Sequence, residues 1–561
     1  MILTSDAWKQ KHTEQLLPET FVEIECAITE TGAQAQMVSS GTNEVFFSNA
    51  YRVSGNRGTV AAQKYATLEH NLWTLDAQKK IIDKKIRTDE GYIYSNIGYA
   101  SNDDNGSVTL TSPELRKVAI PGVTISWCNE YGEYPTDFTV TAYNGNKVVA
   151  QTSVHGNTSQ FTLVDLEMSD YDRVTVTVDK WCVPNHRCRV EKFILGHIRL
   201  FEKGEIMSYS HEQSGDIFSG ELPKNFVRFA VDNIDGKWNP ANPSGIERYL
   251  MERQRLTVRY GMDIDGVVEW IPAGVFYLSE WSAPANGIEA SFEARDALEY
   301  MMYDKYTGIT SGTLYDIVNA AFTQANLPAD VVVHVADVLK RYSGTIPDSM
   351  NNSTIAEIIQ HCANAAGCVI YQDRVGKIHI EQLLKKNDFD YTILGEFSYS
   401  YPEIELSKQL RSVVVNYGDN EFTLPVSSAG ENQTLTNDLI STSAQAAEIA
   451  VWVKDGLESR KNIGGEFRAD PCIDVFDSVK IETRYGDIAA VLTDIKYTYS
   501  GAFRATYTGR VVPYKDGIYA VDDGNGNVTI YGITATDDGN GNVTLLGCNV
   551  TDDGNGNVTI F

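Results

Sequence analysis

Alternation of apolar and polar residues with a period of two runs through most of the chain and predicts a mainly β protein. In the clearest example Phe138, Val140 and Ala142 alternate with threonines, and the run ends on the dipeptide Asn144-Gly145. An alternating run followed by Asn-Gly is typical of a β-hairpin. Similar runs recur about every ten residues in this part of the chain, which is the spacing of a β-sandwich or jelly roll.

Two segments, 313–327 and 353–367, place apolar residues at helical spacing instead. The first begins at Thr313, a suitable N-cap, and the second opens with Ser-Thr-Ile-Ala-Glu, which has the pattern of a capping box, and ends on glycine. The second segment continues into two predicted strands around a turn at 373–376. We therefore expect a compact α/β unit here, and a further helix at 444–459.

The last 46 residues state one phrase three times with a period of 15 residues, as VDDGNGNVTI, TDDGNGNVTL and TDDGNGNVTI. Each copy centres on Asn-Gly and is flanked by Val, Ile or Leu on one face and by Thr on the other, which predicts a β-hairpin. A single hairpin with one small apolar face is not stable alone. The repeats are therefore expected to stack on one another or on other chains.

A calcium site is the alternative interpretation of these repeats. Each copy carries Asp and Asn oxygens at i, i+2 and i+4, as at the start of a calcium loop, but lacks the glycine at position 6 and the glutamate at position 12 of an EF-type loop. Apart from calcium at these repeats, no cofactor is expected. The candidate ligands are Asp523, Asn525, Asn527, Asp538, Asn540, Asn542, Asp553, Asn555 and Asn557.

The charge balance narrows the function. Lys and Arg number 47 against 75 Asp and Glu, which gives a net charge of −28 at pH 7. Such a surface repels nucleic acid and anionic membranes, so general nucleic-acid binding is excluded, whereas a wall past which DNA slides without sticking fits. No apolar run approaches the ~18 residues of a transmembrane helix, and the start shows no signal-peptide pattern. We expect a soluble protein without membrane insertion.

Catalytic and zinc-binding patterns are weak. The segment HEQSG at 211–215 begins like a zinc-protease helix but lacks the second histidine at i+4, and neither a G-x-S-x-G elbow nor a phosphate-binding glycine loop is present. Cys128, Cys182, His186 and Cys188 would supply zinc ligands, but packing of the cysteines explains the same residues. We therefore expect no enzyme activity.

Aromatic residues near the strand ends of the predicted sandwich are candidates for glycan contact. Aromatic rings on loops of such a fold can stack on sugar faces, while polar neighbours bond hydroxyl groups; the alternative is that the tryptophans pack in the core. The candidates are Trp127, Asn129, Tyr131, Tyr134, Trp181 and Arg187.

Three segments resemble, in this order, parts of phage tail hub proteins, the group that includes baseplate-hub and late-control proteins of contractile tails and tail-associated proteins of flexible tails. The resemblance rests on the order of weak motifs. They are GVFYLSEWSAPANGIEASFEARDALEYM (274–301), NSTIAEIIQHCANAAGCVIYQDRVGKIHIEQL (352–383) and DSVKIETRYGDIAAVLTDIKYTYSGAFRATYTGR (477–510).

The N-terminal part is similar to another piece of phage tail proteins. There a phrase like YATLEHNLWTLD (65–76) and a Gly-Tyr-x-Ser stretch, here GYAS (98–101), precede a galactose-binding-like jelly roll. The resemblance therefore implies a hub with an inserted sandwich. Its implied domains are an N-terminal tail-hub segment (1–104), a jelly-roll sandwich (105–200), a first hub β-barrel (201–304), a small α/β domain (305–390), a second hub β-domain (391–515) and β-hairpin repeats (516–561).

The resemblance implies a structural virion protein that is assembled in the host cytoplasm and lies at the tail tip or baseplate. It would form a homotrimer, close the tail tube, contact other baseplate proteins and the tape measure protein, and take part in host attachment and DNA passage. Two alternatives remain at this point: a tail adhesin in which the jelly roll binds a host glycan, and a tail-associated peptidoglycan hydrolase.

Overall fold

The helices are short and few. The computed structural model describes residues 1–16, 18–31, 33–41, 64–66, 81–83, 93–94, 106–127, 132–182, 189–190, 192–239, 241–242, 245–284, 287–328, 331–383, 389–457, 459–512, 519–522, 528–531, 534–537, 543–546, 550–552 and 558–560. The α-helices are α1 (Asp6–His12), α2 (Ala33–Gln36), α3 (Leu314–Ala325), α4 (Ile355–Ala365) and α5 (Ser443–Gly456). Single 3₁₀ turns lie at Ile246–Tyr249, Ala297–Met301, Asp337–Arg341, Asp348–Met350 and Gly395–Phe397.

Strands make up most of the described structure, which confirms the mainly β, multidomain fold class. The first part of the chain contributes β1 (Thr20–Thr29), β2 (Val38–Gly41), β3 (Lys64–Ala66), β4 (Ile81–Asp83), β5 (Ile93–Tyr94), β6 (Gly106–Arg116), β7 (Ile120–Ser126), β8 (Pro135–Asn144), β9 (Lys147–His155), β10 (Phe161–Met168), β11 (Tyr171–Trp181), β12 (Arg189–Val190) and β13 (Lys192–Phe201). The middle contributes β14 (Ile206–Ser214), β15 (Lys224–Asp232), β16 (Arg255–Ile264), β17 (Val267–Ser282), β18 (Glu289–Arg295), β19 (Ser311–Thr313), β20 (Val333–Val335), β21 (Ser343–Thr345), β22 (Val369–Gln372) and β23 (Ile378–Glu381).

The strands after the α/β unit complete the set. They are β24 (Tyr391–Ile393), β25 (Glu403–Leu406), β26 (Leu410–Tyr417), β27 (Asn420–Pro425), β28 (Glu431–Thr436), β29 (Lys461–Arg468), β30 (Ser478–Thr483), β31 (Gly486–Tyr499) and β32 (Phe503–Val511). Six short strands lie in the terminal repeats: β33 (Tyr519–Asp522), β34 (Val528–Tyr531), β35 (Thr534–Asp537), β36 (Val543–Leu546), β37 (Val550–Asp552) and β38 (Val558–Ile560).

One 15-stranded sheet organises the protein, in the order β10-β7-β13-β1-β16-β17-β18-β15-β14-β31-β32-β29-β25, with β30 joined to β31 and β24 to β30. Among the described residues no ladder closes this sheet into a barrel, so the predicted β-barrel hub domains are corrected to parts of one open sheet. The reason is the pairing of β14 with β31, in which His211 lies opposite Tyr497. Strands from both predicted hub ranges consequently bury their apolar residues in one core, here named the hub core. The domain boundaries themselves stay predictions.

A two-sheet sandwich packs around a second core. Its five-stranded sheet has the order β2-β6-β11-β8-β9, and it faces the strands β10, β7 and β13 of the large sheet. The predicted hairpin at Asn144 is confirmed, because Asn144 lies opposite Lys147 and Gly145 has a φ of 57°. β13 belongs to both cores: Lys192–Leu195 pair with β7, whereas the strand's second half pairs with β1.

The α/β unit forms as predicted. α3 and α4 begin with capping boxes, in which Thr313 pairs with Asp316 and Thr354 with Glu357, so each N-cap region satisfies its free N–H groups. β22 and β23 form the predicted hairpin, and β20 adds to β23 in parallel. α5 is also confirmed and contacts β26 and β27.

The terminal repeats pair as three hairpins, β33 with β34, β35 with β36 and β37 with β38, which confirms the hairpin interpretation. The backbone register places Ala520 opposite Ile530, Ala535 opposite Leu545 and Val550 opposite Ile560. These are the positions that the repeat pattern assigned to one apolar face. The described helices include none that is long and apolar enough to span a bilayer.

Candidate functional site

The outer side of the large sheet spans several neighbouring strands. In β18, β15, β14, β31, β32 and β29 alternate residues enter the hub core, and the others form a continuous surface, here named the polar sheet face. Shallow troughs of about 380, 280 and 360 Å³ cross it. Its polar members are Ser208, Ser210, Glu212, Arg228, Ser291, Glu293, Arg295, Glu466, Asp494, Lys496, Thr498, Arg504, Thr506 and Thr508.

Cross-strand ion pairs balance the charge of this face. Lys496 and Glu212 lie directly opposite each other in the ladder, and so do Arg228 and Glu293. Four of its cations, Arg228, Arg295, Lys496 and Arg504, each have a carboxylate within ion-pair distance. Lys224, Arg468 and Arg510 are further members of this face, because they project from the same side of β15, β29 and β32. The N···O distances are 2.5 Å for Lys496–Glu212, 2.7 Å for Arg228–Glu293, 2.9 Å for Arg295–Glu293 and 3.9 Å for Arg504–Glu466.

The carboxylate at the centre of these pairs stays ionised. Burial alone raises the pKa of Glu293, but the hydrogen bonds that Arg228 and Arg295 donate more than offset it, and the net pKa is lowered. Where cations and carboxylates are paired in this way, the face offers a phosphate little net positive charge. Lys224 is an exposed cation that lines the second trough.

A buried arginine joins the α/β unit to the hub core. Arg374, on the turn between β22 and β23, is 1% exposed and donates from Nε to Asp474 Oδ1 at 2.7 Å. Its two Nη atoms donate to the carbonyl oxygens of Pro272, Pro471 and Ile473. These contacts, here named the Arg374 junction, attach the turn between β22 and β23 to the large sheet. Sequence reasoning missed this junction, because its acceptors lie about a hundred residues away.

The histidine of the HEQSG segment has a structural role beside this junction. His211 is fully buried; its Nδ1 lies 2.8 Å from the Tyr260 hydroxyl and its Nε2 lies 2.9 Å from Asn225 Oδ1. Burial lowers the pKa of His211 to about 4. In the neutral ring Nε2–H donates to Asn225, and Nδ1 accepts from Tyr260, whose oxygen accepts from Tyr209 at 2.8 Å. The polar side-chain atoms of His211, Tyr260 and Tyr209 therefore all have hydrogen-bond partners within the core.

The structure buries both tryptophans of the proposed glycan site. Trp127 is 0% and Trp181 2% exposed, and the rings meet edge to face at 6.2 Å in the sandwich core. Their indole N–H groups donate to Thr162 and to Glu133. Both rings are thus packed in the core, which favours the core-packing alternative for these two tryptophans. Glycan contact by the candidate residues stays a prediction.

The other proposed site residues are not brought together by the described structure. Tyr134 is half-buried, and its backbone N–H donates to Cys182 Sγ at 3.3 Å. Outside the described residues lie the remaining glycan candidates Asn129, Tyr131 and Arg187, the thiols and imidazole of Cys128, His186 and Cys188, and the calcium candidates Asp523, Asn525, Asn527, Asp538, Asn540, Asn542, Asp553, Asn555 and Asn557.

Solved structures to which this chain is similar include phage and prophage tail proteins. A tail protein of Neisseria meningitidis MC58 is 12% identical, with a TM-score of 0.40, over 55% of this chain and 93% of that one. The 43 kDa tail protein of prophage MuSo2 from Shewanella oneidensis is 13% identical, with a TM-score of 0.40, over 55% and 94%. Prophage tail protein gp18 of Listeria monocytogenes EGD-e is 11% identical, with a TM-score of 0.37, over 56% and 91%.

No protein-family model matches the chain, and no curated protein matches it. Similarities at these TM-scores do not decide function. Function therefore has to be inferred from the polar sheet face and the Arg374 junction.

Proposed function

We propose that this chain is a structural hub of a phage tail, or of a phage-derived particle, and that its polar sheet face lines the passage through which DNA leaves. The observation that carries the proposal is the charge-paired outer side of one continuous sheet. A wall for DNA needs a rigid backbone and few unpaired cations, since every lysine or arginine that neutralises a phosphate adds affinity. The sheet is rigid because its inner side is packed throughout with buried apolar residues.

Closure of the tail tube belongs to the same proposal. Three chains would place three copies of the sheet around one axis, in contact with the tail tube, other baseplate proteins and the tape measure protein. The mass of the purified protein by light scattering tests the trimer. A monomer at every concentration, combined with absence from assembled particles, would remove the hub role.

The location in the particle has a direct test. An epitope inserted between Asn144 and Lys147 lies on an exposed hairpin end of the sandwich, away from both the polar sheet face and the Arg374 junction. Antibody-gold labelling of particles that carry this epitope is expected at the tail tip only. Label along the whole tail, or particles without label, contradicts the proposal.

The lining role predicts a salt-dependent effect of added cations. The double variant Ser208→Arg/Thr498→Arg adds two arginines at exposed positions of the polar sheet face, where Ser208 lies opposite Ala230, and Thr498 lies opposite Ser210 and Arg504. Two phosphate contacts change DNA affinity by about tenfold between 50 and 200 mM salt. We expect DNA release from variant particles to slow at low salt and to recover at high salt. Gln151→Arg, on the exposed edge strand β9, is the matched control and should have no effect.

Host attachment is the part of the proposal that depends on the sandwich. With Trp127 and Trp181 in the core, glycan contact would fall to Asn129, Tyr131, Tyr134 and Arg187. A glycan array probed with the full chain and with an Arg187→Ala variant tests this role. A peptidoglycan zymogram tests the hydrolase alternative, and clearing would revive it.

A further inference from the structure

Two histidines and a glutamate lie together on the outer side of the three-stranded sheet of the α/β unit. His334 on β20 and His379 on β23 are direct partners in the parallel ladder, and Glu381 follows His379 by two residues on the same strand. Residues that are directly opposite, or two apart on one strand, project from the same side of a sheet. The backbone alone therefore brings these three side chains to one point.

The donor atoms face one another. Glu381 Oε2 lies 3.6 Å from His334 Nε2 and 3.9 Å from His379 Nδ1. His379 Nδ1 is buried and has no hydrogen-bond partner. A buried imidazole nitrogen that faces a carboxylate and has no hydrogen-bond partner is an unsatisfied polar group.

Neighbouring groups hold two of these side chains in the orientation that a ligand needs. His379 Nε2 lies 3.0 Å from Asp373 Oδ2, so Nε2 carries the proton and Nδ1 keeps its lone pair. Asp373 Oδ1 is fixed in turn by the backbone N–H groups of Val375 and Lys377. Tyr371 donates its hydroxyl to Glu381 Oε1 at 2.6 Å, which leaves Oε2 free.

The aromatic ring of Tyr371 adds to this support. The His379 ring also stacks on Tyr371, with centroids 4.9 Å apart and planes at 5°. A carboxylate behind the imidazole and a hydroxyl behind the glutamate are the arrangement that orients ligands in metal sites.

We propose that His334, His379 and Glu381 form a binding site for a divalent transition-metal ion of the zinc, cobalt or nickel class, with water as a further ligand. Two imidazoles and one carboxylate are a ligand set that such ions take. Ligands about 2.0–2.1 Å from zinc stand about 3.3–3.4 Å apart in a tetrahedron. As the side chains stand the site is wider than this, and among the described residues no group of three His, Cys, Asp or Glu side chains is already placed to hold a metal ion.

Closure needs only a small movement. The two measured separations of 3.6 and 3.9 Å exceed the tetrahedral value by about 0.2–0.6 Å. His334 and Glu381 are 46% and 35% exposed, so both have room to rotate, whereas the supported His379 is 15% exposed and stays in place. The exposed side also gives the ion its entry path.

Cobalt binding to the full-length protein, freed of metal by chelation, tests the proposal. We expect one ion per chain with visible bands of nitrogen and oxygen ligation, and displacement of cobalt by zinc. His334→Ala, His379→Ala and Glu381→Gln should each weaken binding by at least tenfold. Asp373→Asn should weaken it by about 10–100-fold, because it removes the support of His379.

The sandwich offers a matched control. His155 and Asp137 also face each other across a strand pair, at 3.1 Å, but His155 is exposed, and no third His, Cys, Asp or Glu of the described residues completes a metal site with them. His155→Ala should leave cobalt binding unchanged. If the His379→Ala variant does not fold, the His334→Ala variant decides the test, because His334 is exposed. Thiolate-to-cobalt bands would overturn the proposal, and so would binding that survives His334→Ala and Glu381→Gln. No cobalt binding at all would also overturn it and would show that the three side chains form only an ion pair.

Discussion

Loss of the Arg374 guanidinium should free the α/β unit from the large sheet. Arg374→Met keeps most of the side-chain volume and removes every hydrogen bond of the Arg374 junction. Asp474 then keeps its hydrogen bond from Gln213 but loses its cation, and the carbonyl oxygens of Pro272 and Pro471 lose this donor. Ile473 is affected less, since its oxygen also accepts from the Tyr497 hydroxyl at 2.7 Å.

The size of the effect follows from the burial of the pair. Arg374 is 1% and Asp474 21% exposed, so the pair lies mostly outside solvent screening. Removal of one partner of a buried ion pair costs about 3–5 kcal/mol, because the other partner stays behind without compensation. At about 1.4 kcal/mol per factor of ten, this corresponds to roughly 10²–10³-fold more frequent opening of the junction.

Hydrogen exchange measured by mass spectrometry reads this opening locally, which suits a large chain whose unfolding is not two-state. Peptides from β22, β23 and 470–478 should exchange roughly 10²–10³-fold faster in Arg374→Met, and peptides from the sandwich should not change. Arg341→Met is the control: Arg341 is 64% exposed and its Glu448 partner lies at 3.7 Å, so about 1 kcal/mol or less is at stake. An acceleration below tenfold at the junction would refute the reasoning.

Three further predictions concern single groups. Burial lowers the pKa of His211 from 6.5 to about 4, so on acidification the unfolded chain binds this proton before the folded chain does. The free energy of unfolding should therefore fall by about 3 kcal/mol between pH 6.5 and 4. In His211→Asn the melting temperature should depend less on pH across this range. Burial raises the pKa of Asp296 to about 7, and its Oδ2 has no hydrogen-bond partner. The free energy of unfolding should therefore fall as the pH rises from 3.8 to 7. Asp296→Asn should raise the melting temperature at pH 8, and a decrease would contradict this. Thr354→Ala removes the cap of α4 and should cost about 1 kcal/mol, measured against Thr354→Ser.

Local signals in the sequence predicted the elements well. The caps at Thr313 and Thr354, the Asn-Gly turn after β8 and the Asn-Gly of each repeat all act within a few residues, so their pattern is readable without the fold. The open sheet was not predictable in this way. Whether strands close into two barrels or run on into one sheet depends on which edges meet, and the joining pair of His211 with Tyr497 spans most of the hub region.

Whether a candidate side chain can reach a ligand depends on its burial, and burial cannot be read from the sequence alone. Trp127 and Trp181 stand at strand ends, as aromatic residues of a sugar site do, yet their N–H groups find Thr162 and Glu133 inside the core. The pair His334 and His379 illustrates the opposite case. The two histidines are 45 residues apart in the sequence, and only the parallel pairing of β20 with β23 makes them neighbours.

The turn that holds the junction also holds the proposed metal ligand, and this links the two sites. Asp373 supports His379, and the next residue, Arg374, enters the hub core. Zinc at 100 times its Kd stabilises any state that contains the intact site by about 2.7 kcal/mol. Slower exchange of 470–478 on zinc addition is therefore expected in the wild type and should vanish in Arg374→Met, where the turn no longer holds that loop. An equal zinc effect in both proteins would separate the two sites.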